Sequence, residues 1–549
     1  MKQSQTIPRT LDPRLPVQNN DTNIHNNIDK SNKEKSLFDK LNNLHRCNLI
    51  PANATTLPQC ALHEIKDLIQ VSSSKTHLMT PEEEDSLDDG FVICDLAVIQ
   101  RKLKVWKNLF PRIKPFYALK CNPDPMVAAV LGYHSKEVGF DCASPSEIRL
   151  ALSSSSLFSS NEEKNDFNDS TSHALRCIYA NPQRAHSDLE QALDLNVKAL
   201  TFDGEEELWK VKAAYDRRMK VWNDELLGSE ANGQHYNIEP PLPPEMILRL
   251  LVPDEHSSIP LGEKFGANPD LIKPLVELAC ELHLPIIGIS FHCGSGCHDP
   301  NAYRTAIQLA HDAMNIVNEV LQLYNMDPCI LLDIGGGYPG VDGAGADLGR
   351  FSGCEYNNPE SIEKSPVENT DQNSVCGSSP TNNEDTAADI ANVVTPFINR
   401  LFPADATNYV HIMSEPGRYF VEEAFAVCSR IYSTQIVEDV RHYYIAQGVH
   451  GVFKDVLLCG ENFVPLGLSM QTEEDKSDNL QKKKLFRSVV HGPSGEDFDI
   501  VNPNCLLPSL KEEDWLIFDR MGAYTLSIAA RSGKLPIRYV VGGGGFFKS

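Results

Sequence analysis

The chain has 549 residues, of which 41% are hydrophobic and 23% charged, so it can build a sizeable core. Its 75 acidic and 50 basic residues give a formal charge of −25, which argues against affinity for nucleic acid or anionic membranes. The sequence shows neither an apolar stretch of about 18 residues nor an apolar segment after Met1, so we expect no membrane span and no secretory signal. Fifteen cysteines without a Cys-x-x-Cys pair indicate reduced thiols and a cytoplasmic protein.

Composition divides the chain into a core and several polar stretches. Residues 1–35 are rich in Asn, Asp, Gln and Lys, and they contain too few apolar side chains to offset the entropy of ordering, so we expect a disordered tail. Four internal stretches look similar, at about 153–173, 216–243, 352–386 and 471–484. We interpret them as inserted surface loops, because the cost of closing a loop grows slowly with its length. The remaining core of about 400 residues suffices for two domains.

Short apolar runs that end in a turn residue or a polar residue predict eight strands. They lie at 116–120, 138–141, 178–181, 199–203, 246–249, 287–292, 330–335 and 411–415. Segments with helical spacing lie between them, most clearly at about 269–284 and 301–324. Eight strands alternating with helices favour an α/β fold of the (β/α)8 barrel type. An open doubly wound sheet is the alternative that the same pattern allows.

The pattern changes near residue 420. We predict the barrel over 94–420 and, because later strands have few helices between them, a C-terminal β-rich domain over 421–549. The segment 36–93 precedes the barrel, and its run Phe91-Val92-Ile93 is predicted to add a strand to the β domain.

A barrel makes a specific prediction about where the functional side chains meet. Enzymes of this architecture carry their active sites at the C-terminal ends of the strands. The polar residues that end the predicted strands are therefore expected to share one mouth. They are Lys120, Asp141, Asn181, Arg249, His292, the glycines after Ile334, and Glu415.

The glycine-rich run Gly335-Gly336-Gly337-Tyr338-Pro339-Gly340 matches the G-x-G-x-x-G pattern of dinucleotide sites. Such a site needs a helix that opens directly from the glycines, and Pro339-Gly340 disfavours one. We interpret the run as a loop whose backbone N–H groups approach a phosphate, with a tight turn that binds no ligand as the alternative.

Three further features have a functional and a structural interpretation. Lys120 is either a solvated or paired surface group or, if partly desolvated, a Schiff-base nucleophile. Glu415 and Arg418 are either a simple ion pair or a carboxylate beside an anion clamp. The Cys and His residues of segment 291–298 lack a second cluster at metal spacing, so we predict no metal site. A His that packs on a ring, followed by a Ser that donates to a phosphate, fits this segment better.

Together these motifs resemble the eukaryotic-type ornithine decarboxylases, a family of pyridoxal-phosphate enzymes with an alanine-racemase-like barrel and a C-terminal β domain. The resemblance runs from about 90 to 541, interrupted by the insertions. The matching segments are 115–122 (PFYALKCN), 139–144 (GFDCAS), 179–182 (YANP), 291–297 (FHCGSGC), 331–340 (LLDIGGGYPG), 415–419 (EPGRY) and 521–525 (MGAYT).

The resemblance implies a role for each matching residue. Lys120 would bind pyridoxal phosphate covalently, Glu415 would hold its pyridine nitrogen protonated, and His292 would stack on its ring. The residues expected to hold the phosphate are Ser295, Gly336, Gly337, Arg418 and Tyr524. Those expected elsewhere around the cofactor are Asp141, Glu147 and Arg249.

The family resemblance also implies an activity and partners. We expect decarboxylation of an amino acid, L-ornithine, to putrescine in polyamine biosynthesis. We further expect a homodimer in which each site is completed by the partner, with Lys264 and Asp499 matching a pair that meets across the family's interface. Antizyme, a polyamine-feedback protein, is a candidate partner.

The chain departs from the family on the substrate side. Gly495 occupies the position of a Cys that governs reprotonation, followed by Glu496 where the family has Asp. Leu458 and Cys459 occupy the position of a Tyr-Asp pair whose Asp reads the distal amine of ornithine. Glu461 lies nearby as a candidate substitute for that Asp, and Cys459 as a candidate proton donor.

Segment 531–533, Arg-Ser-Gly, replaces the family's Phe-Asn-Gly. The alternatives to ornithine are therefore lysine, arginine or diaminopimelate, or a catalytically silent regulator that resembles the antizyme inhibitors. Because the chain keeps the cofactor-side residues and loses substrate-side ones, the sequence favours a decarboxylase over a pure binding protein.

Overall fold

A computed structural model of the protein provides the geometry described below. It describes residues 39, 41, 42, 47–49, 57–73, 88–134, 137–156, 177–231, 240–262, 264–297, 299–340, 386–406, 409–470, 484–529 and 535–541. The predicted tail at 1–35 and most of the predicted insertions at 153–173, 352–386 and 471–484 lie outside these residues.

The first elements in chain order are strand β1 (Cys47–Leu49), helix α1 (Leu57–Ser73) and strand β2 (Phe91–Asp95). Helix α2 (Leu96–Leu109) follows β2 directly. The carboxylate of Asp95 begins α2 by accepting a hydrogen bond from the N–H of Ala97 at 3.0 Å, as an N-cap does.

Trp106 on the buried face of α2 packs its ring against Tyr338 and Tyr419, with centroids 5.0 and 5.2 Å away. Tyr338 belongs to the glycine-rich run and Tyr419 follows Arg418, so α2 supports two segments that the sequence places at the functional site.

Eight parallel strands close into a barrel in the order β11-β12-β3-β4-β5-β6-β7-β9. They are β3 (Ile113–Ala118), β4 (Gly139–Cys142), β5 (Cys177–Tyr179), β6 (Ala199–Phe202), β7 (Glu245–Arg249), β9 (Ile286–Ser290), β11 (Leu331–Asp333) and β12 (His411–Ser414). Each overlaps one predicted strand, so the barrel prediction is confirmed and the open sheet is excluded. Two short strands, β8 (Ser257–Ile259) and β10 (Ser295–Cys297), pair antiparallel beside the mouth.

Helices surround the barrel. They are α3 (Pro125–Tyr133), α4 (Pro145–Ser156), α5 (His186–Asp194), α6 (Glu205–Ala231), α7 (Ile272–Glu281), α8 (Pro300–Leu323) and α9 (Ala387–Leu401). The predicted apolar face of α8 is buried, from Ala306 through Ala313 to Val320. Asp124 and Asp299 cap α3 and α8, each followed by a proline that fits the first helical turn.

The stretch 216–243, which we interpreted as a surface loop, is helical as far as residue 231. It continues the 27-residue helix α6, which begins with Glu205, Glu206 and Glu207. Acidic residues in a first turn stabilise the helix dipole, and the Lys, Arg, Leu, Met and Ala residues that follow are strong helix formers. The loop interpretation was wrong for this part because polar composition alone does not distinguish a solvated helix from a loop.

A buried apolar cluster fills the barrel below its mouth. Its members come from the inward-facing positions of the strands: Phe116, Ile178, Ala180, Ala199, Ile247, Leu331 and Met413. Side chains alternate between the two sides of a strand, so the next inward positions after Ile178 and Leu331 lie towards the C-terminal mouth. The barrel is therefore closed at its centre and open to chemistry only at its ends.

The second domain is a nine-stranded sheet whose main path runs β1-β19-β2-β13-β14-β16-β17. Its later strands are β13 (Phe425–Val437), β14 (Val440–Ile445), β15 (Leu466–Leu468), β16 (Phe486–His491), β17 (Ile500–Leu507), β18 (Trp515–Phe518) and β19 (Ile537–Val541). Short helices α10 (Arg418–Val421) and α11 (Asp455–Cys459) lie near the barrel mouth.

Strand β2 lies between β13 and β19, so the chain contributes to this sheet before it enters the barrel. Among the helices of the described ranges, none combines the length and apolar character needed to cross a membrane.

Candidate active site

Lys120 lies two residues after the C-terminal end of β3. Its Nζ lies 3.1 Å from Oδ2 of Asp141, which sits at an inward position on the neighbouring strand β4. Burial lowers the pKa of Lys120, but Asp141 and then Glu415 raise it by more, so the pKa lies above its ordinary value. The amine is therefore an ammonium in this arrangement, held by carboxylates.

Three carboxyl groups converge beside this amine, and their carboxylates repel one another. Asp141 and Asp333 are fully buried and Glu415 is nearly so. Burial raises the pKa of Asp333 to about 7. Burial also raises the pKa of Glu415 well above its ordinary value, helped by the charges of Asp141 and Asp333.

Oδ1 of Asp141 is buried and makes no hydrogen bond within the described part of the chain, whereas the carboxyl group of Asp333 interacts with that of Glu415. Buried carboxylate oxygens are costly without a donor, so the cluster suits a ligand that brings a cationic N–H group.

His292 follows β9 and is held as a neutral ring. Its Nδ1 accepts a hydrogen bond from the N–H of Gly294 at 3.0 Å. Burial lowers the pKa of His292 well below 6.5, and the positive charges of Lys120 and Arg249 lower it further. A neutral imidazole can stack on the flat face of another aromatic ring without the cost of burying a charge.

The glycine run lies against His292 and Glu415 as a loop. Gly335 and Gly337 have φ of +66° and +101°, which favour glycine. A Cβ on Gly336 would lie 2.6 Å from the carbonyl oxygen of Glu415 and 3.0 Å from Nε2 of His292. The described part of the run forms no helix, which agrees with the expectation from Pro339. The loop therefore packs directly against Glu415 and His292, and a side chain at Gly336 would push these segments apart.

The five predicted phosphate ligands lie on segments that contact one another. Gly337 accepts a hydrogen bond from the N–H of Cys297 at 3.0 Å, which brings the Ser295 segment to the loop. Cζ of Arg418 lies 5.7 Å from the ring centroid of Tyr524. Tyr524, with φ of +58°, donates its N–H to the carbonyl of Cys121 at 3.0 Å. These segments offer backbone N–H groups, a hydroxyl and a guanidinium, a donor set that suits an anion.

Two other predicted residues border the site. Glu147 accepts a hydrogen bond from the N–H of Ala143 at 2.7 Å, and burial raises its pKa. Arg249 lies with Cζ 4.9 Å from the ring centroid of Phe265. Its charge acts on both His292 and Asp333, so it faces the same mouth.

The substrate-side residues form two separate groups within one chain. Leu458 and Cys459 lie exposed on α11, and Arg418 acts on the pKa values of Asp455 and Cys459 in that helix. Segment 455–461 therefore lies close to Arg418, at the end of the site where we predict the phosphate. Glu496 lies elsewhere, with its Oε2 2.5 Å from Nε2 of His450.

Asp499 is buried and accepts hydrogen bonds from the N–H groups of Val449 and Ser494 at 2.9 and 2.8 Å. Lys264 instead lies with its Nζ 5.0 Å from the ring centroid of Phe265. Asp499 therefore fixes the loop that carries Gly495 and Glu496, a local role that the sequence analysis did not foresee.

Sequence reasoning also missed Asp333, whose signal is a lone carboxylate inside the apolar run Leu331–Ile334. In the described ranges, no group of three or more His, Cys, Asp or Glu side chains is arranged to hold a metal ion.

Comparisons with known proteins agree with this geometry. The sequence profile of the family described as "pyridoxal-dependent decarboxylase, pyridoxal binding domain" matches residues 96–351. The chain is 31% identical to an ornithine decarboxylase of Caenorhabditis elegans over 80% of this chain and 84% of that one. It is 29% identical to antizyme inhibitor 2 of Xenopus laevis over 82% of this chain and 81% of that one.

Solved structures show the same fold. The arginine decarboxylase of Paramecium bursaria Chlorella virus, solved with agmatine, aligns with a TM-score of 0.60 and 26% identity. The alignment covers 82% of this chain and 96% of that one.

Proposed function

This chain belongs to the pyridoxal-dependent decarboxylase family that includes the ornithine decarboxylases, and from that premise we propose that it decarboxylates L-ornithine to putrescine, in polyamine biosynthesis. One observation carries the proposal: the amine of Lys120, a buried carboxyl cluster and the glycine loop beside Glu415 and His292 meet at a single barrel mouth. The cofactor is pyridoxal phosphate.

The residues present fit that cofactor. Lys120 supplies the amine for its aldehyde, and the cradle of Gly336, Gly337 and Arg418 suits its phosphate. The carboxyl cluster around Glu415 suits the pyridine nitrogen, because a protonated nitrogen would supply a cationic N–H group to these buried carboxyl groups. When bound, pyridoxal phosphate supplies a ring that accepts the electron pair left by the departing carboxylate.

The chain's own residues set the charges for this chemistry. Asp141 is hydrogen-bonded to Nζ of Lys120, so it is placed to hold or accept a proton at that atom. Glu415 favours a protonated pyridine nitrogen because its carboxylate is stabilised by an adjacent cation. His292 stays neutral beside Lys120 and Arg249, so it adds an aromatic face to the site without a third positive charge.

Substrate recognition in this proposal relies on carboxylates near α11. Leu458 and Cys459 provide no carboxylate for the distal ammonium of ornithine. Asp455 and Glu461 lie on the same segment, and both interact electrostatically with Arg418 at the site. We therefore assign the reading of the distal ammonium to this pair, together with Glu496 of a second copy of the chain.

A homodimer in the cytoplasm is part of the proposal. Large apolar side chains are exposed on the segments that carry the substrate-side residues, with Leu458 61%, Val464 52% and Phe498 51% exposed. Apolar surface of this kind favours association. Pairing two copies would bring Glu496 of one to the barrel mouth of the other. Light scattering tests this, and a monomer at micromolar concentration would contradict it.

A catalytically silent regulator is the second candidate. The similarity to antizyme inhibitor 2, together with Gly495 and the uncharged Leu458, supports it. A regulator of this kind would bind antizyme, with or without cofactor, and release no CO2 from any amino acid.

Two measurements test the proposal. First, the protein purified with pyridoxal phosphate should show the long-wavelength absorbance of a lysine Schiff base, absent in Lys120→Ala and retained in Lys114→Ala. Lys114 is a matched control because it lies on β3 at the other end of the barrel. Second, CO2 release should be greatest with ornithine among ornithine, lysine, arginine and diaminopimelate. Release from another substrate alone would contradict the ornithine assignment, and release from none would favour the regulator.

A further inference from the structure

Glu422 is a buried carboxylate just outside the site. It follows α10 directly, and only 6% of its surface is exposed. Its Oε2 accepts a hydrogen bond from the N–H of Gly340 at 3.1 Å and lies 3.7 Å from Nη1 of Arg418. Its Oε1 lies 2.7 Å from Nη2 of Arg520. One carboxylate therefore joins three partners.

The three partners belong to three different segments. Gly340 ends the glycine loop after β11, and Arg418 begins α10 after β12. Arg520, with φ of +57°, belongs to the turn of the β domain that leads to Tyr524. The backbone of Glu422 holds this turn as well, since its carbonyl accepts a hydrogen bond from the N–H of Gly522 at 3.3 Å.

The carboxylate of Glu422 fills the space beside Gly340. A Cβ at this position would lie 2.3 Å from Oε2 of Glu422, so a side chain here would displace it. The carbonyl of Gly340 accepts a hydrogen bond from Nζ of the buried Lys102. Both sides of the last glycine are thus fixed by charged groups, and charge-assisted hydrogen bonds are stronger than neutral ones.

Glu422 is ionised in this position. Burial raises its pKa, but Arg520, Arg418 and Lys102 lower it by more, so the net pKa lies below its ordinary value. A buried carboxylate that is paired in this way is costly to disturb, because removing it leaves two guanidinium groups without this partner.

We propose that Glu422 is a positioning residue for the phosphate end of the cofactor. It holds Gly340 and the guanidinium of Arg418 in fixed relative positions and ties both to the turn that carries Tyr524. The inference rests on the proposed function, since the cradle must receive a phosphate. The inference also predicts the direction of the effect on affinity for the phosphate. A carboxylate that acted only through its negative charge would weaken binding of an anion, whereas a carboxylate that positions the cradle strengthens it.

The test compares two ligands of the cofactor-free full-length protein. Pyridoxal phosphate and pyridoxal differ only in the phosphate group. The affinity for pyridoxal phosphate divided by the affinity for pyridoxal therefore reports on the cradle alone. In Glu422→Ala we expect this ratio to fall about tenfold or more, as for loss of a buried charged hydrogen-bond partner. Glu422→Gln keeps an oxygen acceptor for Gly340 and should show a smaller fall.

Glu513→Ala is the matched control, because it breaks an exposed Glu–Arg pair in the β domain, 3.1 Å from Arg430, away from the cradle. If Glu422→Ala does not fold, Arg520→Ala removes one of the three partners from a more exposed position and should still lower the ratio. An unchanged or increased ratio in the variant that folds would overturn the inference. If the wild-type protein binds neither ligand, the proposed function fails instead.

Discussion

Nζ of Lys120 lies 3.1 Å from Oδ2 of Asp141, on the adjacent strand of the barrel. The pair places an ammonium beside a fully buried carboxylate, and Glu415 also raises the pKa of Lys120. A nucleophilic amine must be neutral, so these carboxylates control the pH at which the lysine reacts.

Asp141→Asn should therefore make Lys120 reactive at lower pH. Burial lowers the pKa of Lys120 and Asp141 is the strongest influence in the opposite direction, so removing that charge lowers the pKa of the amine. We expect the midpoint of the pH dependence of covalent pyridoxal phosphate uptake to fall by about one unit or more. Stopped-flow absorbance of the cofactor-free protein measures this. Asp216→Asn, at an exposed carboxylate on α6, is the control. If the midpoint does not change in Asp141→Asn, Asp141 does not control the protonation of Lys120.

Asp333 should make the cofactor-free protein less stable as the pH rises. Burial raises its pKa from 3.8 to about 7, so between these values the folded state keeps a proton that the unfolded state has released. Stability then falls with increasing pH across this window, by at most about 1.4 kcal/mol per pH unit for one group.

Asp333→Asn should flatten this dependence because an amide does not ionise. Urea unfolding at several pH values between 4.5 and 7 measures the free energy of unfolding. The exposed Asp312→Asn is the control and should retain the wild-type slope. Equal slopes in the wild type and Asp333→Asn would show that this carboxyl is not the source.

The sequence predicted the features that depend on neighbouring residues and missed those that depend on residues far apart in the chain. Each barrel strand was predictable because an apolar run and the polar residue that ends it are neighbours in the chain, as at Phe116–Lys120 and Ile287–His292. Closure of the barrel then places those ends at one mouth. Asp333 and Glu422 escaped notice because several of their partners come from distant segments, as Gly340 and Arg520 do for Glu422, and the sequence shows neither the burial nor the partners of a carboxylate. The sequence did not predict the contact between Glu496 and His450 either, because these residues are far apart in the chain.

Gly495→Cys should improve the fidelity of reprotonation. In the family that this chain resembles, a Cys at this position governs that step, and glycine has no proton to give. The structure has room for the change, since a Cβ on Gly495 would meet no atom within 4 Å among the described residues. We expect the ratio of amine to aldehyde side product to rise, measured by chromatography of both products. Ser494→Cys carries the same thiol one residue away and should leave the ratio unchanged. A ratio that is the same in all three proteins would mean that reprotonation does not depend on this loop.

Cys459→Asp should strengthen binding of a diamine substrate. Cys459 is exposed on α11, and burial together with Asp455 and Glu461 raises the pKa of its thiol, so it is uncharged at neutral pH. A carboxylate there would add a charged partner for the distal ammonium, which lowers the KM for ornithine about tenfold if it faces the substrate. Steady-state kinetics with ornithine and with an amino acid that has no distal amine distinguish this from a general effect, because only ornithine should gain. Leu323→Asp, at the exposed end of α8, introduces the same charge far from the mouth and serves as the control. A KM for ornithine that does not change would place the ammonium away from α11 and leave Glu496 as the residue to examine.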